Sequence, residues 1–170
     1  MSKDRSAKIT PSSLENAALH YLERFDSSSA NLRRVLMRRF HKLPDIPDEA
    51  ASMVDAVVAK LVGLGYVDDR RYAQAKVGAL RAKGASVRKV QAGLAAKGVD
   101  TDLIHETLAD LDEQGEESEM KAAAIYARKR RLGPFRQVAR AAFRDKDLAA
   151  MGRAGFGWQV AKRIIDQDDG

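Results

Sequence analysis

Gly65-Tyr66-Val67-Asp68-Asp69-Arg70-Arg71-Tyr72-Ala73, a basic run to Lys83, and then Lys97-Gly98-Val99-Asp100-Thr101-Asp102-Leu103-Ile104-His105-Glu106-Thr107-Leu108 form the stretch on which the fold turns. Its second half returns about 57 residues later as Ala154-Gly155-Phe156-Gly157-Trp158-Gln159-Val160-Ala161-Lys162-Arg163-Ile164-Ile165. Leu94, Gly98, Val99, Leu103, Thr107 and Leu108 fall on Met151, Gly155, Phe156, Val160, Ile164 and Ile165. In each copy a glycine stops one helix, a hydrophobe follows it, and a second helix starts within a few residues. A chain built from a repeated helical unit offers its partners a surface before it offers a pocket.

Working outward, the chain reads as helices with almost no strand signal. Pro11 and a Ser12-x-x-Glu15 capping box predict a first helix with Leu14, Ala17, Ala18, Tyr21, Leu22 and Phe25 on one face. Serines 27 to 29 break it and cap a second, with Leu32, Val35, Leu36 and Phe40 inward. Met53, Val54, Val57, Val58, Leu61 and Val62 mark a third, over 50–62, closed near Gly63 and Gly65. Asp68 and Asp69 are placed to cap a helix through Lys83, and Ser86 a short one with Val87, Val90 and Leu94 inward. Asp100 or Thr101 opens the next, with Leu103, Ile104, Thr107, Leu108 and Leu111 as its stripe.

A third unit runs from Glu116 through Arg131, is interrupted at Gly133-Pro134, and continues from Phe135 to Arg144. Asp145 or Asp147 would then cap a helix ending at Gly155, and Gly157-Trp158 would open the last. The expectation is an all-α protein of nine or ten helices in three tandem three-helix repeats, forming an elongated, curved array. It divides into a flexible tail over 1–12, repeats over 13–66 and 67–112, and a third repeat over 113–170 with a basic insertion and a short C-terminal tail.

The chain has 170 residues, enough to bury roughly 70% of its unfolded surface without a staple. With no Cys, disulfide, redox and zinc-thiolate chemistry are excluded, which suits a reducing cytoplasm. The N-terminal stretch is polar, and no apolar run approaches the 18 or so residues of a membrane span. A cytoplasmic protein is therefore expected. There is no Gly-rich phosphate loop, H-E-x-x-H or nucleophile elbow, so neither an enzyme nor a cofactor is expected. His20, His41 and His105 have no second ligand at metal spacing, and Asp68 and Asp69 are better used as caps than as a metal pair.

Net charge is +6, and its distribution says more than its size. Residues 99–120 hold nine acids and no Lys or Arg, whereas 121–163 hold twelve Lys or Arg against Asp145 and Asp147. Two ridges stand out: Arg34, Arg38 and Lys42, flanked by Arg33 and Arg39, and Arg136, Arg140 and Arg144 at the same spacing. With Arg128, Lys129, Arg130 and Arg131 they are candidates for facing phosphate or an acidic protein. Like charges at i, i+4 cost a helix roughly 0.2–0.5 kcal/mol per pair, so an unpaired ridge favours a partner. The plainer alternative is that acids elsewhere in the fold neutralise them. Tyr66 and Tyr72 are expected to lock the first unit onto the second, and Trp158 to pack as a cap residue.

The order of Tyr21-Leu22-Glu23-Arg24-Phe25-Asp26-Ser27-Ser28-Ser29-Ala30-Asn31-Leu32-Arg33-Arg34-Val35-Leu36, then Gly65 to Ala73, then two glycine-hydrophobe-helix segments at Gly98 and Gly155, resembles the RecX family, regulators of the RecA recombinase. The resemblance spans about Leu14 to Ile165. Its most specific part holds Gly65, Tyr66, Asp68, Asp69 and Tyr72, with Val67 and Tyr72 where relatives more often carry Leu and Phe. It implies three tandem three-helix repeats that bind RecA filaments on single-stranded DNA, inhibit ATP hydrolysis, strand exchange and coprotease activity, and limit filament growth. It also implies a role in DNA repair, homologous recombination and the SOS response. Direct binding to free DNA is expected to be weak, and the protein to be a monomer.

Two other classes stand beside it. One is a helix-turn-helix DNA-binding regulator built on 86–97 and 100–111, whose second helix carries Asp102, Glu106 and Asp110 and no Arg, Asn or Gln to read bases. The other is a helical protein-interaction scaffold with no effect on recombination.

Overall fold

The computed structural model describes residues 9–112 and 115–167, without the side chains of Leu111 and Asp112. Among the described residues there are nine α-helices and no strand. They are α1 (Pro11–Leu22), α2 (Ser29–Phe40), α3 (Ala50–Gly63), α4 (Asp69–Ala82), α5 (Val87–Ala96), α6 (Thr101–Asp112), α7 (Gly115–Arg130), α8 (Arg140–Arg153) and α9 (Trp158–Ile165). A 3-10 turn, Gly133–Phe135, separates α7 from α8. The protein is thus all-α, a tandem array of three-helix units. Of the tail expected over 1–12, residues 1–8 lie outside the described part, as do Glu113 of the acidic block and the side chain of Leu111. Two compact units result: the residues up to Tyr72 with Lys97–Val99, and Ala73–Ala96 with the residues from Asp100 on.

In the first unit, α1 opens two residues before the expected box. Thr10 Oγ1 accepts from the Ser13 amide at 3.2 Å while Ser13 Oγ accepts from the Thr10 amide at 2.9 Å. Pro11 takes the first helical position, where its missing N–H costs nothing. Glu15 is thereby released to accept from Lys60 Nζ at 2.8 Å. Leu14, Ala18, Leu32, Leu36, Phe40, Val54 and Leu61 close the core, each large chain contributing about 1.5–3 kcal/mol. Phe25 and Val62 are exposed, not inward, because α1 ends at Leu22 and Val62 faces away from α2 and α1 in the last turn of α3.

The Gly65–Ala73 signature divides its labour. Asp68 caps α4, its Oδ1 accepting from the Arg71 amide at 3.0 Å. Asp69 reaches α2, accepting from the Ser29 amide at 2.7 Å and from Ser29 Oγ at 2.6 Å. Tyr72 is buried, which pushes its phenol above its ordinary pKa. Tyr66, expected to pack, is 56% exposed. Gly65 at φ +76° turns the chain after α3 so that Val67, one residue on from Tyr66, fills the core place instead.

A joint recurs at the two copies of the glycine-hydrophobe motif. Ser28 Oγ caps α2 by accepting from the Asn31 amide at 3.1 Å and donates to the Lys97 carbonyl at the end of α5, at 2.5 Å. In the second unit Ser86 Oγ caps α5 by accepting from the Lys89 amide at 3.2 Å and donates to the Ala154 carbonyl at the end of α8, at 2.7 Å. An acid completes each joint. Glu119 accepts from the Val87 amide at 3.3 Å, as Asp69 does from that of Ser29. In the second unit the positive end of α5 thus meets the negative end of α8.

Gly98 and Gly155 follow those carbonyls at φ +73° and +93°. A β-carbon would lie 2.6 Å from Ala30 Cβ at Gly98 and 2.5 Å from Ser86 Oγ at Gly155. Glycine is required there twice over, by backbone conformation and by closeness of approach.

The second unit departs from expectation between Gly133 and Asp147. Residues 136–139 are not helical, and α8 runs unbroken from Arg140 through Asp145 and Asp147. Asp147 is no cap: its side chain is 2% exposed, and it accepts from the Gly133 amide at 2.9 Å and from Arg136 at 2.6 Å. Those bonds need the Gly133–Arg136 segment folded back onto α8, which a helix from Phe135 would prevent. Ala122, Ala123, Ala127, Met151, Phe156 and Ile164 form the core there, the small face of α7 letting α9 approach closely.

Candidate functional site

The candidate side chains fall into three groups with different fates. On α2, Arg33 Nε donates to Asp55 at 2.5 Å, and this bond raises the pKa of the guanidinium. Arg34 lies across the first joint, its Nη2 being 2.9 Å from where a β-carbon on Gly98 would stand. Arg38, Arg39 and Lys42 are exposed and have no ion-pair partner among the described residues. The ridge is shorter than its spacing suggests, since α2 ends at Phe40 and Lys42 lies in the following turn. Arg38 and Arg39 also sit in the last turn, where positive charge offsets the helix dipole by a few tenths of a kcal/mol.

The second ridge is spent inside the fold. Arg136 forks onto Asp147, with Phe143 4.4 Å beneath its guanidinium. Arg140 donates to the carbonyls of Ile165 and Gln167. Arg144 forks onto Asp166 at 2.6 and 2.7 Å, which raises the arginine pKa and lowers that of the acid. Burial alone would raise the Asp147 carboxyl, but Arg136 and the Gly133 amide hold it below the ordinary carboxylate value. Arg136, Arg140 and Arg144 therefore form no unpaired helical ridge: Asp147 and Asp166 neutralise the first and the last, and backbone carbonyls take the middle one.

The Arg128-Lys129-Arg130-Arg131 cluster closes α7. Arg128 lies 5.1 Å over the Phe135 ring, Lys129 Nζ donates to the Lys83 carbonyl at 2.9 Å, and Arg131 is exposed at φ +54°. Arg130 faces a cavity of about 480 Å³ shared with Lys89 and Arg153. Sequence reading missed the last two because they lie on α5 and α8, 41 and 23 residues from Arg130. A short ion pair, Arg81 to Glu119 at 2.5 Å, ties α4 to α7 with both side chains mostly buried. It too was missed, because nothing local marks two residues so far apart.

Trp158, expected to be packed, is 64% exposed at the start of α9. Among the described residues no three His, Cys, Asp or Glu come together as a metal site, and no helix is long and apolar enough to cross a membrane. The acids of α6, Asp102, Glu106 and Asp110, are exposed.

What the geometry defines is an all-helical tandem-repeat protein with capped helix ends in each compact unit and candidate chemistry that is cationic surface. Residues 68–108 match the family model of the second three-helix domain of RecX. The regulatory protein RecX of Myxococcus xanthus (strain DK1622) is 44% identical over 170 residues, covering 96% of this chain and 90% of that one. The regulatory protein RecX of Agrobacterium fabrum (strain C58) is 29% identical, covering 88% and 80%. In fold, the crystal structure of RecX from Lactobacillus salivarius is similar with a TM-score of 0.68 at 18% identity, over 92% of this chain and 94% of that one. The chain belongs to the RecX family, whose members are named regulatory proteins.

Proposed function

We propose that this chain is a negative modulator of the RecA recombinase, binding RecA filaments on single-stranded DNA and inhibiting ATP hydrolysis, strand exchange and coprotease activity. Membership of the RecX family is the observation that carries the reading. The surface is compatible with it. Arg38, Arg39 and Lys42 offer exposed positive charge to an acidic protein face or to phosphate, and nothing in the fold competes for them among the described residues. Groove occlusion and a block to filament extension both fit, the protein acting in the cytoplasm as a monomer without a cofactor. The helix-turn-helix alternative is disfavoured by the exposed acids of α6, which would face DNA phosphate with like charge.

The test is single-strand-dependent ATP hydrolysis by the cognate RecA, with this protein titrated well below one copy per RecA. Inhibition at such ratios supports a filament regulator. No effect in molar excess over assembled filaments overturns the reading in favour of a scaffold.

A further inference from the structure

We propose that Lys89, Arg130 and Arg153 form a phosphate-binding pocket for the backbone of a single-stranded nucleic acid. They come from α5, α7 and α8 and converge on one cavity of about 480 Å³, walled also by Tyr126, Leu132, Ala150 and Ala154. All three are exposed, and none has an ion pair or hydrogen-bonded side-chain partner among the described residues. Arg81, Arg136, Arg144 and Arg163 of the same unit, by contrast, each hold a carboxylate.

Their places on the helices differ in meaning. Arg130 and Arg153 end α7 and α8, where a cation is favoured by the helix dipole. Lys89 has no such reason, for it lies in the first turn of α5, the end that disfavours positive charge. The Ser86–Ala154 bond of the second joint holds the start of α5 at the end of α8, so Lys89 and Arg153 are kept together. Three like charges around one cavity repel one another unless an anion enters.

The size of the cavity selects the anion. A lone carboxylate is satisfied by one forked arginine, as Asp166 is by Arg144. Three separated cations around an open space match a chain of unit charges repeated along a flexible strand, with the Tyr126 ring and the Leu132 and Ala150 side chains as a wall for sugar. The pocket deepens the function proposed above, on which it rests, by locating the direct DNA contact. Its test contains no RecA, so its failure leaves the RecA reading standing.

The experiment is fluorescence anisotropy of a labelled oligodeoxythymidine titrated with the full chain, across a salt series. The variant is Lys89→Gln/Arg130→Gln/Arg153→Gln, and the charge-matched control is Arg71→Gln/Lys121→Gln/Lys162→Gln, with thermal melts of both. The pocket variant is expected to bind at least tenfold more weakly at low salt. Its slope of log K on log salt should be shallower by about 0.7 for each phosphate it no longer neutralises. The control should change by less than about threefold, and both should melt like the parent, since exposed cations, unpaired or in a single surface pair as Lys121 is with Glu117, contribute little to stability. Equal weakening in pocket variant and control overturns the proposal, as does a pocket variant that binds like the parent. Inorganic pyrophosphate is the third arm. Displacement of the strand from the parent supports a phosphate site, whereas pyrophosphate binding that the triple variant abolishes while strand affinity is unchanged overturns the assignment to a strand.

Discussion

Two arginine runs of identical spacing, one reaching Lys42 from Arg34 and the other spanning Arg136 to Arg144, meet opposite ends. The first leaves Arg38, Arg39 and Lys42 in solvent at the end of a helix whose core side is Leu32, Leu36 and Phe40. The second is folded onto Asp147, Asp166 and the carbonyls at the end of α9. Spacing alone does not distinguish a docking surface from an internal clasp. The difference lies in whether an acid elsewhere in the chain is brought within reach, and Asp147 and Asp166 are brought there by tertiary packing.

Replacing Asp147 with Asn tests that contrast with the largest expected effect. The side chain is 2% exposed, so the variant leaves Arg136 facing a neutral amide in a mostly buried place. Thermal denaturation should show a drop in Tm of roughly 4–10 °C. Stability should also depend on acid. Because the folded carboxyl sits below its ordinary value, its contribution is complete above about pH 4 and disappears as pH falls through the folded-state pKa. The Asn variant should lack that part of the acid dependence. A melt of Asp147→Asn superimposable on the parent would mean the second run is not a clasp.

The matching change in the first run is Arg38→Glu/Arg39→Glu/Lys42→Glu. It reverses charge at a helix end, so it should cost roughly 1–2 kcal/mol of stability. RecA inhibition should weaken at least tenfold and lose much of its salt dependence. Unchanged inhibition with unchanged folding would reduce this run to a solvated face.

Helix positions and the core of the first unit were legible because their signals are local: Ser28 as a cap, Asp68 before α4, and the stripe Val54, Val57, Val58, Leu61. The glycines at 98 and 155 were legible as helix ends, though not as contacts, since the approach to Ala30 or Ser86 is set by residues some 70 positions away. The stretch from Gly133 to Asp147 was misread for the same reason. Asp145 and Asp147 have equal capping propensity as residue types, and only the buried bonds to Gly133 and Arg136 assign Asp147 to the interior. Lys89 and Arg153 were invisible as partners of Arg130 because three helices must pack before their side chains share a cavity.

The repeated joint offers a finer comparison. Ser28→Ala and Ser86→Ala each remove a helix cap and leave a carbonyl, of Lys97 or Ala154, without its hydroxyl partner. Each should lower unfolding free energy by about 1–2 kcal/mol in denaturant titration. Similar decreases support one joint used twice. A decrease at Ser86 alone would make the Glu119–Arg81 pair of the second joint the part that depends on the serine.

The smallest effect concerns Arg131, which ends α7 as Gly65 and Gly84 end α3 and α4. The Leu132 amide returns to the Ala127 carbonyl at 2.9 Å, just as the Tyr66 amide returns to that of Leu61 and the Ala85 amide to that of Leu80. The backbone at Arg131 has φ +54°, a conformation that a residue with a β-carbon adopts at a cost of about 1 kcal/mol. Arg131→Gly should therefore raise stability by roughly 0.5–1 kcal/mol despite the entropy glycine adds to the unfolded chain. A glycine would suffice for the turn, so the variant tests whether the charge has a use under the function proposed above. Arg131→Gly should accordingly gain stability while losing some RecA inhibition, whereas a gain with inhibition unchanged would leave the strained arginine as a neutral occupant of the turn.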